Sequence, residues 1–216
     1  MKHILKIAVI AAMAVSLLTA CGKADTAKNK STTNTTAASR PTAIPVTSGE
    51  LDPALLENKD NITITFTNGD VIKAEIYPDV APITVANFEK LINENFYDGL
   101  IFHRVIEGFM IQGGGLDENG VQKETDSIKG EFASNGVKND LKHTRGVLSM
   151  ARTSIPDSAS SQFFIMHEDA PHLDGQYAAF GMVTEGLDVV DKIAAAQTDA
   201  QDKPIEPVVI QTITLD

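Results

Sequence analysis

Arg104 stands in Phe102-His103-Arg104-Val105, and Gly108-Phe109-Met110-Ile111-Gln112-Gly113-Gly114 follows closely. Further along come Leu148-Ser149-Met150-Ala151-Arg152, Ser161-Gln162-Phe163-Phe164-Ile165 and His172-Leu173-Asp174-Gly175-Gln176-Tyr177. Brought together, these segments form an apolar slot with a single cation, without a nucleophile or an obvious general base. Other chemistries fit the chain less well. Ser160-Ser161 lacks the Gly-x-Ser-x-Gly elbow of a nucleophilic serine. His167 and His172, five apart with Asp174 nearby, match no common zinc spacing and read as loop histidines that pack or hydrogen-bond. Gly113-Gly114-Gly115 is not followed by Lys-Ser/Thr, so it is no phosphate loop. It reads as the end of a strand where backbones pass closely.

The elements that must position these residues are mostly short strands. Asn61–Phe66 alternates with Ile62, Ile64 and Phe66 on one face, and Ile72, Ala74 and Ile76 alternate again after Asn68-Gly69. Two such runs around Asn-Gly predict a hairpin, because both turn residues tolerate positive φ. From Pro82 to Asn95 the period becomes helical, with Val85, Phe88, Leu91 and Ile92 in register and Thr84 as the expected N-cap. Strand-like runs recur at Leu100–Val105, Phe109–Gln112, Val147–Ala151, Phe163–Met166, Ala178–Val183 and Val208–Leu215. A second helix fits Gly186–Ala195. This count predicts a mainly β domain, an antiparallel barrel or sandwich with helices at its ends.

From about residue 60 to the C-terminus, the motifs around Arg104 and Ser161-Gln162-Phe163-Phe164-Ile165 resemble those of the cyclophilins, a family of peptidyl-prolyl cis–trans isomerases. The resemblance implies a closed eight-stranded antiparallel β-barrel with two capping α-helices. It implies that Arg104 is the catalytic arginine, and that Phe109, Met110, Phe164 and Leu173 wall a proline pocket. Gln112 corresponds to the glutamine that helps hold the arginine and the substrate carbonyl. Ala151 and Arg152 correspond to the segment that pairs with the substrate backbone, although many members have Asn at the second position. Gln162 corresponds to a glutamine lining the adjoining groove, Tyr177 stands where many members have His, and His172 stands where many eukaryotic members have Trp. Phe163, which alternates with Phe164, is assigned to the core.

The implied chemistry suits these residue types. Rotation about an X–Pro bond breaks amide resonance, at a barrier of roughly 20 kcal/mol. In the twisted state the prolyl nitrogen pyramidalises, and a guanidinium donor aimed at its lone pair binds that state better than either planar one. No group is transferred, so no metal and no cofactor are expected. The implied partners are proline-containing polypeptides. Without a Trp at position 172, binding of cyclosporin, the family's cyclic-peptide ligand, is expected to be weak. One departure stands out: many members carry Gly-Thr-Gly-Gly where this chain has Asn119-Gly120-Val121-Gln122-Lys123-Glu124. That stretch is expected to border the pocket for the residue two before proline. The competing readings are a proline-peptide-binding chaperone module with incidental isomerase activity, and an adhesin-like surface protein.

The 216 residues hold 43% hydrophobic residues, enough for one core, and a net charge of −11. That charge argues against a nucleic-acid partner, which needs a basic patch. The single Cys excludes an intramolecular disulfide and a Cys-based zinc site. Residues 1–20 read as a signal peptide: Lys2 and Lys6 precede an uncharged, mostly apolar stretch from Ile7 to Ala20, too short to span a bilayer. Leu18-Thr19-Ala20-Cys21 resembles the bacterial lipobox, whose Cys becomes the lipidated N-terminus; the alternative is a plain signal followed by an incidental Cys. Residues 22–50 are rich in Thr, Ser and Ala and read as a flexible stalk, so 21–50 is assigned as lipidated Cys and stalk and 51–216 as the isomerase domain. Residues 51–216 carry 12 of the 18 basic and 27 of the 29 acidic residues, a net −15. The expected arrangement is a monomer on the outward face of a bacterial cell membrane.

Overall fold

The computed structural model describes residues 52–216. Eight strands run in chain order: β1 (Asp60–Phe66), β2 (Val71–Ile76), β3 (Leu100–Ile106), β4 (Met110–Asp117), β5 (Val147–Met150), β6 (Phe163–Met166), β7 (Ala179–Glu185) and β8 (Val208–Leu215). Two helices are interleaved, α1 (Pro82–Asn93) and α2 (Leu187–Ala194). The strands close into a barrel in the order β1-β2-β7-β5-β6-β4-β3-β8, and every pairing is antiparallel. Closure leaves no sheet edge with unpaired backbone groups.

Local sequence accounts for much of this. The β1–β2 hairpin turns through Thr67-Asn68-Gly69, with Gly69 N–H donating to Phe66 O at 3.0 Å and Phe66 N–H donating to Asp70 O at 2.9 Å. Of the two turn residues expected at positive φ, Gly69 alone adopts it, at +88°. Asn68 instead accepts from Asp70 N–H through its side chain at 3.0 Å, an Asx-type contact that fixes the turn.

Two expectations fail here. Thr84 does not cap α1: it is fully buried within the first turn, and the N-cap position is Ala81, which makes no side-chain cap bond. The helix N-terminus is capped from afar. The buried Glu131 carboxylate accepts from Ile83 N–H at 3.0 Å and from Thr84 N–H at 2.7 Å, satisfying two orphan donors with a charge that suits the helix dipole. Gly113-Gly114-Gly115 does not end a strand; it lies inside β4, which runs on to Asp117. The close approach is real. A Cβ on Gly113 would meet Ile101 O at 2.9 Å, and one on Gly115 would meet the Gln162 side chain at 2.5 Å. Glycine is poor in strands, so the run masks the second half of β4 in sequence while the β3–β4 register shifts around it.

Period-two alternation sorts the core. On β6, Phe163 and Ile165 join the main hydrophobic cluster, to which α1 contributes Val85, Phe88, Leu91 and Ile92 and α2 contributes Val190, Ile193 and Ala194. Phe163 meets Phe88, Tyr97 and Phe102 edge-on at 5.3–5.7 Å, as its core assignment anticipates. Phe164 and Met166 face the other way, into a second cluster with Met110 and Leu173. The residues expected to wall the proline pocket, Phe109, Met110, Phe164 and Leu173, belong to this second cluster.

Candidate active site

One cavity of about 150 Å³ is lined by Arg104, Phe109, Met110, Gln112, Ala151, Arg152, Phe164, Leu173 and Tyr177. These residues come from five places. Arg104 lies on β3 and is the register partner of Gln112 on β4, which is in turn the partner of Phe164 on β6. Strand pairing alone thus aligns the cation, the amide and an aromatic wall side by side. Ala151 and Arg152 follow β5 directly, and Leu173 and Tyr177 come from the single helical turn Pro171–Leu173 and the loop after it.

The walls are fixed by ring packing. Phe164 meets Tyr177 at 5.9 Å, nearly perpendicular, and Met110 and Leu173 are buried beside it. Arg152 is immobilised: its Nε and Nη2 donate to Gln176 O at 3.0 and 2.8 Å, and its Nη1 donates to Thr153 O at 2.8 Å. Its guanidinium also lies against the rings of Phe132 and Tyr177, at 4.9 and 4.6 Å. Arg104, by contrast, is half-exposed, and its one ion pair among the described residues is with Asp202, Nε to Oδ2 at 3.6 Å.

Gln112 donates its Nε2 to Gln162 Oε1 at 3.0 Å. That pair marks the start of a second, larger groove of about 480 Å³, lined by both glutamines together with Ala151, Arg152, Gln122, Glu124 and, from the loop after β5, Thr153, Ile155, Ser158 and Ser160. Gln162 lines this groove and not the first cavity. His172 lies next to the first cavity, exposed, with its ring stacked on Phe109 at 5.7 Å and 26°. Cys21 lies outside the described residues. His167 is engaged elsewhere: Nδ1 accepts from Gly108 N–H at 3.0 Å, and Nε2 sits 3.3 Å from Asp191.

A buried relay behind the pocket escaped the sequence reading. Asp174 Oδ1 accepts from His143 N–H at 2.8 Å and lies 3.1 Å from His143 Nδ1, while His143 Nε2 lies 2.9 Å from Ser149 Oγ. The carboxylate accepts from Nδ1–H, so the Ser149 hydroxyl donates to the unprotonated Nε2. The connectivity is that of a Ser-His-Asp triad. However, Ser149 is fully buried on β5 and cannot meet a substrate, so the relay is a scaffold. His143 also stacks on the inner side of Phe164, at 6.1 Å and 21°. Burial pushes its imidazole below the usual value, against the pull of Asp174, which keeps it neutral near pH 7. No motif signals this trio, because its members are scattered among loops and a strand.

The family model for the cyclophilin type peptidyl-prolyl cis-trans isomerase/CLD matches residues 61–215, the whole of the barrel but its first residue. The chain belongs to the cyclophilins. A peptidyl-prolyl cis-trans isomerase of Acinetobacter baylyi is 50% identical over 159 residues, covering 69% of this chain and 82% of that protein. Peptidyl-prolyl cis-trans isomerase B of Escherichia coli is 44% identical over 167 residues, covering 71% of this chain and 98% of that protein. The cyclophilin region is thus nearly the whole of the E. coli relative. Among solved structures, a cyclophilin type isomerase of Cryptosporidium parvum superposes with a TM-score of 0.64 at 29% identity, covering 74% of this chain and 98% of its own. The same protein solved in the presence of the dipeptide Ala-Pro matches with a TM-score of 0.62 at 30% identity, covering 72% of this chain and 98% of its own. As a cyclophilin, this chain is a peptidyl-prolyl cis–trans isomerase built on a closed antiparallel barrel with two helices.

Proposed function

We propose that this cyclophilin accelerates the folding of exported proteins from the outward face of a bacterial membrane, held there by lipid on Cys21. The observation that carries the catalytic half is the lining of one small cavity by Arg104 together with Phe109, Met110, Phe164 and Leu173. The apolar walls hold the proline ring. Asp202 occupies the Nε edge of Arg104, which leaves the Nη groups to donate toward the prolyl nitrogen as its lone pair localises. Gln112, anchored by Gln162, offers the adjoining amide to the substrate carbonyl. The neighbouring backbone at Ala151 and Arg152 pairs with the substrate chain. Lowering the barrier by about 7 kcal/mol corresponds to roughly 10⁵-fold acceleration.

The localisation half rests on Leu18-Thr19-Ala20-Cys21 after an uncharged stretch of signal-peptide length. The diacylated or triacylated Cys holds the protein firmly, where one acyl chain does so marginally. Clients are proline-containing exported polypeptides, met by a monomeric domain with a net −15 on a stalk.

Two measurements test this reading. In a protease-coupled assay on a proline peptide with residues 51–216, Arg104→Ala is expected to lower turnover by ~10²–10³, as loss of one transition-state donor does, with the fold intact by circular dichroism. Wild-type turnover in that variant would reject the mechanism and favour a binding module. In cells, Cys21→Ser is expected to abolish labelling by a fatty-acid analogue and to shift the protein out of the membrane fraction. Unchanged fractionation without any lipid label on the wild type would reject the anchor.

A further inference from the structure

The groove beside the proline cavity shares Gln112, Ala151 and Arg152 with it, so a peptide seated in the cavity continues into the groove. Its lining is otherwise Gln122, Glu124, Thr125, Ser127, Thr153, Ile155, Ser158, Ser160 and Gln162. Two of these residues are charged. Arg152 is committed: its Nε, Nη1 and Nη2 all donate to backbone carbonyls, and it lies between two aromatic rings. Glu124 is exposed and, among the described residues, has no hydrogen-bond or ion-pair partner. The lysine next to it does not compensate it, because Lys123 Nζ donates to Phe96 O at 2.6 Å and lies over the Phe96 ring at 4.4 Å. Asp157, on the loop after β5, is likewise engaged, with Gly130 N–H and Asn135.

The same groove contains Ile155, one of the most exposed large apolar side chains, at 63%. A free carboxylate and an uncovered aliphatic surface in one groove match a side chain with a long apolar stem and a cationic tip. We propose that Glu124 is a specificity-determining residue that makes this isomerase favour substrates carrying Lys or Arg in the groove, two residues before proline. The inference rests on the reading of the first cavity as the proline site. The net −15 of residues 51–216 favours basic segments in the same sense.

The test uses peptides Ala-Xaa-Ala-Pro-Phe with Xaa = Lys, Glu or Ala, and kcat/KM for residues 51–216, a region that makes up nearly all of the E. coli relative. The readout is the Lys-to-Glu ratio within each protein, so a general loss of activity cancels. For the wild type, attraction of one peptide and repulsion of the other should give a ratio of about fivefold, the scale of an exposed ion pair. Glu124→Gln should bring the ratio close to one, Glu124→Lys should invert it, and 0.5 M salt should shrink it. Equal rates for the Lys and Glu peptides with the Ala peptide still isomerised would overturn this inference alone. A Lys preference that persists in Glu124→Gln would overturn the assignment to Glu124. Failure to accelerate any of the three peptides would instead overturn the reading of the proline site.

Discussion

Asp202 is paired with Arg104, one of the residues that line the cavity, Oδ2 to Nε at 3.6 Å, and Asp202 holds this place with its backbone at φ +63°. Asp is one of the few side chains that tolerate the left-handed region, and Val105 N–H donates to Asp202 O at 2.8 Å, tying the loop to β3 next to the arginine. A non-glycine residue in that conformation stores strain that needs a reason. The tight turn is one, since Asp202 N–H donates to Asp199 O at 3.1 Å and Asp199 N–H donates to Lys203 O at 2.8 Å, and that turn leaves the Asp202 carboxylate beside the arginine.

Asp202 is therefore expected to act as a positioning residue. Asp202→Ala and Asp202→Gly should lower kcat/KM equally, by about two- to fivefold, as the loss of one exposed charged contact allows. Their stabilities should differ, because Gly relieves the positive φ that Ala cannot adopt without cost, so the Gly variant should be about 1 kcal/mol more stable. Chemical denaturation and the coupled assay on both variants separate the two effects. Unchanged kcat/KM in both would remove Asp202 from the site.

Glu131 is the cap that α1 lacks in its own sequence. Glu131→Ala leaves the N–H groups of Ile83 and Thr84 without their acceptor in a buried setting. The expected loss is about 1–3 kcal/mol in urea denaturation. Glu131→Gln keeps one acceptor oxygen and should lose less. Equal stability of all three proteins would show that water replaces the carboxylate.

His143 predicts a pH dependence of stability. Its folded pKa lies below the ordinary value because burial disfavours the imidazolium. The unfolded chain takes up a proton near pH 6.5, while the folded protein resists until lower pH, so the unfolded state binds more protons in between. Stability is then complete above about pH 6.5 and declines as pH falls below it. His103, also pushed down by burial, acts in the same direction. Unfolding free energies at pH 7.5, 6.5 and 5.5 should fall in that order, and His143→Gln should flatten part of the slope. An NMR titration placing His143 at or above 6.5 would contradict this account.

Sensitivity to cyclosporin is expected to turn on His172. It stacks on Phe109 as an exposed imidazole, with less apolar area than an indole and its polar edges available to water. Loss of an aromatic anchor at a binding hot spot costs about 2 kcal/mol, roughly 30-fold in affinity. Weak inhibition of the wild type and tighter binding by His172→Trp are expected in a fluorescence titration, with isomerase activity kept in both. Nanomolar inhibition of the wild type would show that other contacts replace the missing indole.

The sequence by itself determined the pieces whose causes are local. The β1–β2 hairpin was legible because alternation and Gly69 act within a few residues. The split between Phe163 in the core and Phe164 at the pocket was legible because a strand turns successive side chains to opposite faces. The motifs around Arg104, Phe109 and Gln112 were legible because β3 and β4 are adjacent in the chain and carry their site residues in a continuous run. Only the tertiary structure decided the rest. It placed Glu131 on the α1 terminus from 47 residues away, where local spacing pointed to Thr84. It carried β4 through three glycines, since what makes them tolerable there is the backbone of β3 and the side chain of Gln162, not their neighbours in sequence. It brought Asp202 to Arg104, and Asp174 and His143 to Ser149. Periodicity reports which face a residue takes within its own element. Which residue it meets across the barrel depends on how eight strands close, and that is set by the packing of the whole core.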